Sequence, residues 1–134
     1  MDNQELIRLA LEARKASYSP YSKYKVGAAL LTKSGKVYQG CNIENAAYTP
    51  TNCAERTAYF KAVSEGEREF EAIAIAGGSG DVPVDYAWPC GVCRQVMMEF
   101  CGADFRIITA KSETEYQEAT LEEMLPCGFG PNNL

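Results

Sequence analysis

A layered α/β fold around one mixed sheet is what this sequence predicts, and three observations carry it. Strand-like runs alternate with helix-length segments along the 134 residues, the pattern of layers packed on a single sheet. The first two strand-like runs are joined by a tight turn, so the sheet begins with an antiparallel hairpin. The later strands are separated by helices, which favours parallel neighbours, so the sheet should be mixed rather than wholly parallel.

The elements follow in order. Asp2 to Ser17 reads as a helix, with Asp2 as cap, Glu5 at the capping-box position and an apolar stripe of Leu6, Ile7, Ala10, Leu11 and Ala13. Ser19-Pro20-Tyr21-Ser22 breaks it. Val26 to Thr32 and Lys36 to Gly40 read as strands, with Ser34-Gly35 turning between them. Cys41 to Asn52 is a loop. Cys53 to Ser64 reads as a helix stopped by Gly66. Ala72 to Ala76 is a buried strand. Cys90 to Cys101 is a helix with Val96, Met97 and Phe100 on its apolar side and Gly102 as its stop. Arg106 to Ala110 is a strand, and Thr120 with Glu123 caps a short last helix.

The length fits one domain spanning residues 1–134, since domains commonly run about 100–150 residues. No segment approaches the roughly 18 apolar residues of a membrane span. The acidic, amphipathic start is not a signal peptide. A cytoplasmic protein with no membrane partner is the expectation. The net charge is −5, with Lys and Arg scattered and an acidic stretch from Glu113 to Glu123. Nucleic-acid binders usually carry a basic face, so a small-molecule ligand is expected and a nucleic-acid partner is not.

Six cysteines and no histidine decide more. In a reducing compartment, spaced cysteines point to metal or catalysis before disulfides. Without His, the His-based triads and His-rich zinc sites are excluded. Cys53-Ala54-Glu55 and Pro89-Cys90-Gly91-Val92-Cys93 stand at two predicted helix starts, where the helix dipole favours thiolate over thiol. Cys90 and Cys93 are one helical turn apart, and Cys53 completes a three-thiolate set. Three protein ligands leave the fourth tetrahedral position of Zn²⁺ open, which is the catalytic arrangement. Glu55 supplies a proton carrier beside the metal. Its position carries a difficulty: residues two apart on an ideal helix point to nearly opposite sides. Cys41, Cys101 and Cys127 form no ligand-like pair and read as buried thiols.

Zinc deaminases carry a ligand-x-Glu motif followed by Pro-Cys-x-x-Cys, with the Glu as general acid and base. This chain matches the three-cysteine form. It resembles the small homotetrameric cytidine deaminases along Pro20-Tyr21-Ser22-Lys23, Val26-Gly27-Ala28-Ala29-Leu30, Cys41-Asn42-Ile43-Glu44-Asn45-Ala46, Cys53-Ala54-Glu55-Arg56-Thr57-Ala58, Lys61-Ala62-Val63-Ser64-Glu65-Gly66, Cys90-Gly91-Val92-Cys93-Arg94-Gln95-Val96-Met97 and Leu125-Pro126.

The resemblance implies a three-layer α/β/α cytidine deaminase-like domain holding one Zn²⁺ per chain through Cys53, Cys90 and Cys93. It implies hydrolytic deamination of cytidine and deoxycytidine in pyrimidine salvage, with water activated by zinc attacking C4 and Glu55 shuttling protons. Asn42 and Glu44 would bind the ribose 3′-hydroxyl, the Ala54 N–H the base carbonyl, and Tyr24 would pack on the base. Arg56 would donate hydrogen bonds to the thiolates. The main-chain carbonyl of Trp88 would meet the leaving ammonia. Tyr48 and Phe129 would reach a neighbouring subunit's pocket in a tetramer with shared sites. Trp88 and Tyr24 depart from the family, which has a small polar residue and more often Phe there. Other readings stay open on the residues alone: a blasticidin S deaminase of similar size and metal site, a thiol redox protein cycling Cys90 and Cys93, and a zinc-folded interaction module without catalysis.

Overall fold

Asp2 opens the first helix as the sequence predicts, its Oδ1 accepting from the Glu5 N–H at 2.8 Å and so satisfying one of the donors a helix start leaves free. The computed structural model describes residues 1–134. Helix α1 runs Asn3–Arg14 and stops before the predicted Ser17. The N–H groups of Lys15, Ala16 and Ser17 bond three residues back, to Glu12, Ala13 and Arg14, which tightens the last turn out of the α-helical pattern.

Strands β1 (Lys25–Thr32) and β2 (Val37–Cys41) form the predicted hairpin, turning at Gly35, whose φ of +93° suits glycine. Then come α2 (Ala54–Ser64), β3 (Phe70–Gly78), α3 (Gly91–Phe100) and β4 (Arg106–Ala110). A strand the sequence reading lacked, β5 (Tyr116–Thr120), follows, and then α4 (Leu121–Met124), which starts with the predicted Thr120–Glu123 capping box. In β5 only Ala119 is buried. An edge strand with one inward apolar residue leaves no alternation to read.

The five strands stand in the order β2-β1-β3-β4-β5. β3 and β4 are parallel, with α3 in the crossover, and the other pairs are antiparallel. The sheet is mixed, as predicted. Successive side chains of a strand face opposite ways, and here both faces are covered. Ala29, Leu31, Ala72, Ala74, Ala76 and Ile108 pack against Leu6, Ile7 and Ala10 of α1. Ala28, Leu30, Ile73, Ile75 and Ile107 pack against Ala58, Tyr59 and Ala62 of α2 and Met97 of α3. Helix, sheet and helices make three layers.

The register gathers the functional segments. Lys25 pairs with Gly78, and Gly27 with Cys41. The start of β1 and the ends of β2 and β3 therefore lie at one end of the sheet. The loops leading into α2 and α3 leave from that end, which is the carboxyl end of the parallel pair, where open α/β sheets hold ligands. Helix α2 rests directly on the hairpin. A Cβ at Gly40 would lie 2.5 Å from the Ala54 carbonyl oxygen and 2.6 Å from the Ala58 nitrogen. Both are backbone atoms that cannot swing away. Gly40→Ala is therefore expected to cost about 1–3 kcal/mol, seen as a lower urea midpoint with an unchanged slope. An unshifted midpoint would mean that α2 moves off the sheet freely.

Candidate active site

Cys53 and Cys90 are the residues just before α2 and α3. Both have extended backbones (φ −73°, ψ 156° and φ −68°, ψ 168°), and neither side chain caps its own helix. Their sulfurs are free for another ligand at the positive end of a helix dipole. Cys93 lies one turn into α3 and is buried. The extended backbone of Cys53 also removes the difficulty with Glu55. Cys53 stands outside the helix, so the rule that places residues two apart on opposite sides does not apply to the pair. Glu55 is 5% exposed and lines the same cleft as Cys53 and Cys90.

The sulfurs of Cys53, Cys90 and Cys93 all lie within 4.8 Å of one another, and those of Cys53 and Cys90 are 3.7 Å apart. Tetrahedral ligands at the Zn–S distance of about 2.3 Å stand about 3.8 Å apart, so the set fits zinc. Arg56 Nη2 donates to Cys53 Sγ at 3.3 Å, and Arg56 Nε is buried with no hydrogen-bond partner. Such a cation suits a site of excess negative charge. The Cys53 thiol is pushed down to about 5, first by a hydrogen bond with Cys93, then by those with Arg56 and Cys90, against burial. Cys93 is held far above the usual thiol range, first by its bond to Cys53 and then by burial. A dication binds such sulfurs as thiolates, so its binding displaces their protons. Burial drives the Glu55 carboxyl up to about 7, with the Cys53 charge adding to it. Cys101 instead bonds the Tyr59 hydroxyl at 3.1 Å, and burial raises it to about 11. Neither it, Cys41 nor Cys127 joins the set.

The cleft of about 490 Å³ is the size of a small-molecule site, about 300–1,000 Å³. Of the residues singled out in the sequence, Tyr24, Asn42, Glu44, Ala54 and Trp88 line it alongside Cys53, Glu55 and Cys90. Asn42 is tied down: its Oδ1 accepts from the Val26 N–H at 2.9 Å and from the Ser17 hydroxyl, and its Nδ2 donates to the Tyr24 carbonyl at 2.7 Å. One amide N–H remains unassigned. Glu44 Oε1 accepts from the Tyr21 and Ser22 N–H groups at 3.0 and 3.1 Å, and Oε2 from the Ser22 hydroxyl. The Ser22 hydroxyl bond is the main reason its carboxyl is held low, so it stays an acceptor. The Ala54 N–H opens α2 and has no intrahelical partner.

Tyr48 and Phe129 are elsewhere. Tyr48 is exposed, with φ +64°, and lines an adjoining hollow with Tyr21 and Asn45. Phe129 is also exposed and outside the cleft; its carbonyl accepts from Gln95 Nε2 at 2.8 Å. Sequence reasoning missed Tyr86, which lines the cleft, because it falls in a segment without periodicity.

Arg56→Gln is expected to keep the fold and weaken zinc about 10–100-fold, as loss of a ligand's outer partner typically does. Arg56 helps lower the Cys53 pKa, so its loss lets protons compete better for the sulfur. The deficit should widen as pH falls from 8 to 6. Chelator competition across that range would show it, and equal affinity throughout would return Arg56 to an ordinary helix charge.

A family model described as the cytidine and deoxycytidylate deaminase zinc-binding region matches residues 1–109. The cytidine deaminase of Sporosarcina psychrophila is 47% identical over 134 residues, which is 100% of this chain and 96% of that one. That of Halalkalibacterium halodurans is 52% identical over 130 residues, covering 96% and 95%. The crystal structure of cytidine deaminase from Burkholderia pseudomallei superposes with a TM-score of 0.88 at 43% identity, covering 96% of this chain and 100% of that one. With three sulfurs spaced for zinc and a buried carboxyl beside them, the chain belongs to the zinc-binding cytidine and deoxycytidylate deaminase family.

Proposed function

We propose that this chain is a zinc-dependent hydrolase that deaminates cytidine and deoxycytidine to uridine and deoxyuridine, releasing ammonia. The observation that carries this is Glu55, a carboxyl buried in one cleft with two of the clustered cysteines, where burial pushes its pKa up. A proton carrier works best with a pKa near the working pH. Bound zinc supplies a Lewis acid that makes water nucleophilic at neutral pH.

The residues of the chain do the rest. Glu55 takes a proton from the attacking water and gives it to ring N3, which makes C4 electrophilic. Glu55 next carries the second water proton to the exocyclic nitrogen. The C4–N bond breaks, ammonia leaves and a C4 carbonyl remains. The Ala54 N–H holds the base carbonyl, Tyr24 packs on the ring, and the Trp88 carbonyl receives the departing ammonia. Asn42 and Glu44 hold the sugar hydroxyl, an amide and a carboxylate offering donor and acceptor. A redox reading of Cys90 and Cys93 leaves Cys53 and Glu55 without roles. Blasticidin S deamination is disfavoured by the likeness to cytidine deaminases over nearly the whole chain and by the Asn42–Glu44 pair, which suits a sugar hydroxyl.

The finer reading is a single catalytic domain over residues 1–134, working in the cytoplasm in pyrimidine salvage. Six unpaired thiols support a reducing compartment, and no helix is long and apolar enough to cross a membrane. The chain assembles as a homotetramer in which Tyr48 and Phe129 enter a neighbouring cleft. Their exposure outside their own chain's cleft supports this.

Ammonia release from a panel of amino-bearing nucleosides, nucleotides and blasticidin S tests the substrate. Cytidine and deoxycytidine should lead it, and Glu55→Gln should keep zinc while losing at least 10²–10⁴-fold in turnover. Near-parental turnover in that variant would sink the proton-shuttle role. Mixing Phe129→Ala chains with Glu55→Gln chains should restore activity above either alone. No recovery after verified subunit exchange would end the shared-cleft reading.

A further inference from the structure

Arg14 stands at the end of α1 and is 5% exposed, and its anionic neighbour, Asp81, attracts it without forming a salt bridge. Its guanidinium bonds only main chain. Nε donates to the Lys25 carbonyl at 3.0 Å, Nη1 to the Asp81 carbonyl at 2.9 Å, and Nη2 to the Gly78 carbonyl at 2.6 Å and to that of Gly80. A cation taken out of water is costly unless its donors are satisfied, and an apolar residue would fill the helix face at no such cost. The planar fork of arginine instead holds several carbonyls at fixed directions.

Those carbonyls belong to two segments that both reach the cleft. Lys25 lies between Tyr24 and Val26, which line it. Residues 78–81 begin the segment that ends in Tyr86, Ala87 and Trp88, which also line it. The two segments meet over Gly77. A Cβ there would lie 2.8 Å from Ala87 Cβ, 3.1 Å from Val26 Cγ2 and 3.3 Å from Tyr24 Cε1. The far end of the second segment is pinned separately, the Ala87 N–H donating to Thr109 Oγ1 at 3.0 Å. The sulfurs and Glu55 sit at the starts of α2 and α3, and none of the Arg14 bonds touches those helices.

We propose that Arg14 is a positioning residue for the reaction: one buried guanidinium ties the start of β1 to the 78–88 segment and so sets the gap in which the pyrimidine is gripped. This rests on the nucleoside reading of the cleft. Loosening the gap weakens substrate and transition state alike, which raises KM and spares kcat.

The test uses Arg14→Lys and Arg14→Met in the zinc-loaded, full-length protein. Trp88 is the only tryptophan, so its fluorescence reports the segment directly, without substrate. The expected result is a KM for cytidine raised about tenfold in Arg14→Met and less in Arg14→Lys, with kcat within twofold of the parent and full zinc content. Trp88 emission should shift to the red and acrylamide quenching should rise in the same order. An unchanged KM with an unchanged Trp88 signal would overturn the proposal. So would a loss of kcat and zinc in step with a falling melting temperature, or failure of both variants to fold, either of which would assign Arg14 to the fold alone. A parent that never deaminates cytidine would sink the substrate reading, while the Trp88 signal would still judge the coupling of Arg14 to the cleft.

Discussion

Negative charge crowded into one place is the constraint on which the rest of the structure depends. Cys53, Cys90, Cys93 and Glu55 converge at one end of the sheet, and three thiolates exceed the charge of one Zn²⁺ before Glu55 is counted. Two helix starts aim their dipoles at this point, and Arg56 places a guanidinium on Cys53. Without a histidine in the chain, no neutral imidazole can replace a thiolate and relieve the excess. The charge relief must come from backbone and arginine, and so both cysteine segments must sit at helix beginnings.

The sheet exists in a form that lets those helix beginnings meet. The antiparallel pairing of β1 with β2 and β3 brings residues 25, 41 and 78 to one end, and the parallel crossover returns α3 to the side where α2 lies. Small residues then set how close the layers come. Gly40 admits the backbone of α2, and Gly27 admits that of α1, where a Cβ would fall 2.1 Å from the Ala10 carbonyl oxygen. Distances between backbones fix the site before any side chain is chosen.

What was legible in the sequence was local. The Asp2 cap, the hairpin turn at Gly35, the capping box at Thr120 and the metal set each lie within a few residues or carry a distinctive spacing. β5 was not legible, because Tyr116, Gln117 and Glu118 are exposed and read as part of an acidic stretch. The orientation of Glu55 was not legible either, since it turns on the backbone angles of Cys53. Nothing in the local sequence sets Arg14 apart from the other basic residues of the chain. Its buried role depends on carbonyls at residues 78–81, far along the chain.

The separation of Cys53 and Cys90 by 37 positions makes the metal a staple as well as a reagent. Ligands so far apart come together only in the folded chain, so the free energy of holding the ion adds directly to the stability of the fold. The same ion then enforces the register between two halves of the polypeptide that α2 and α3 head. Chain topology, and not catalysis alone, gives the protein a reason to retain its zinc.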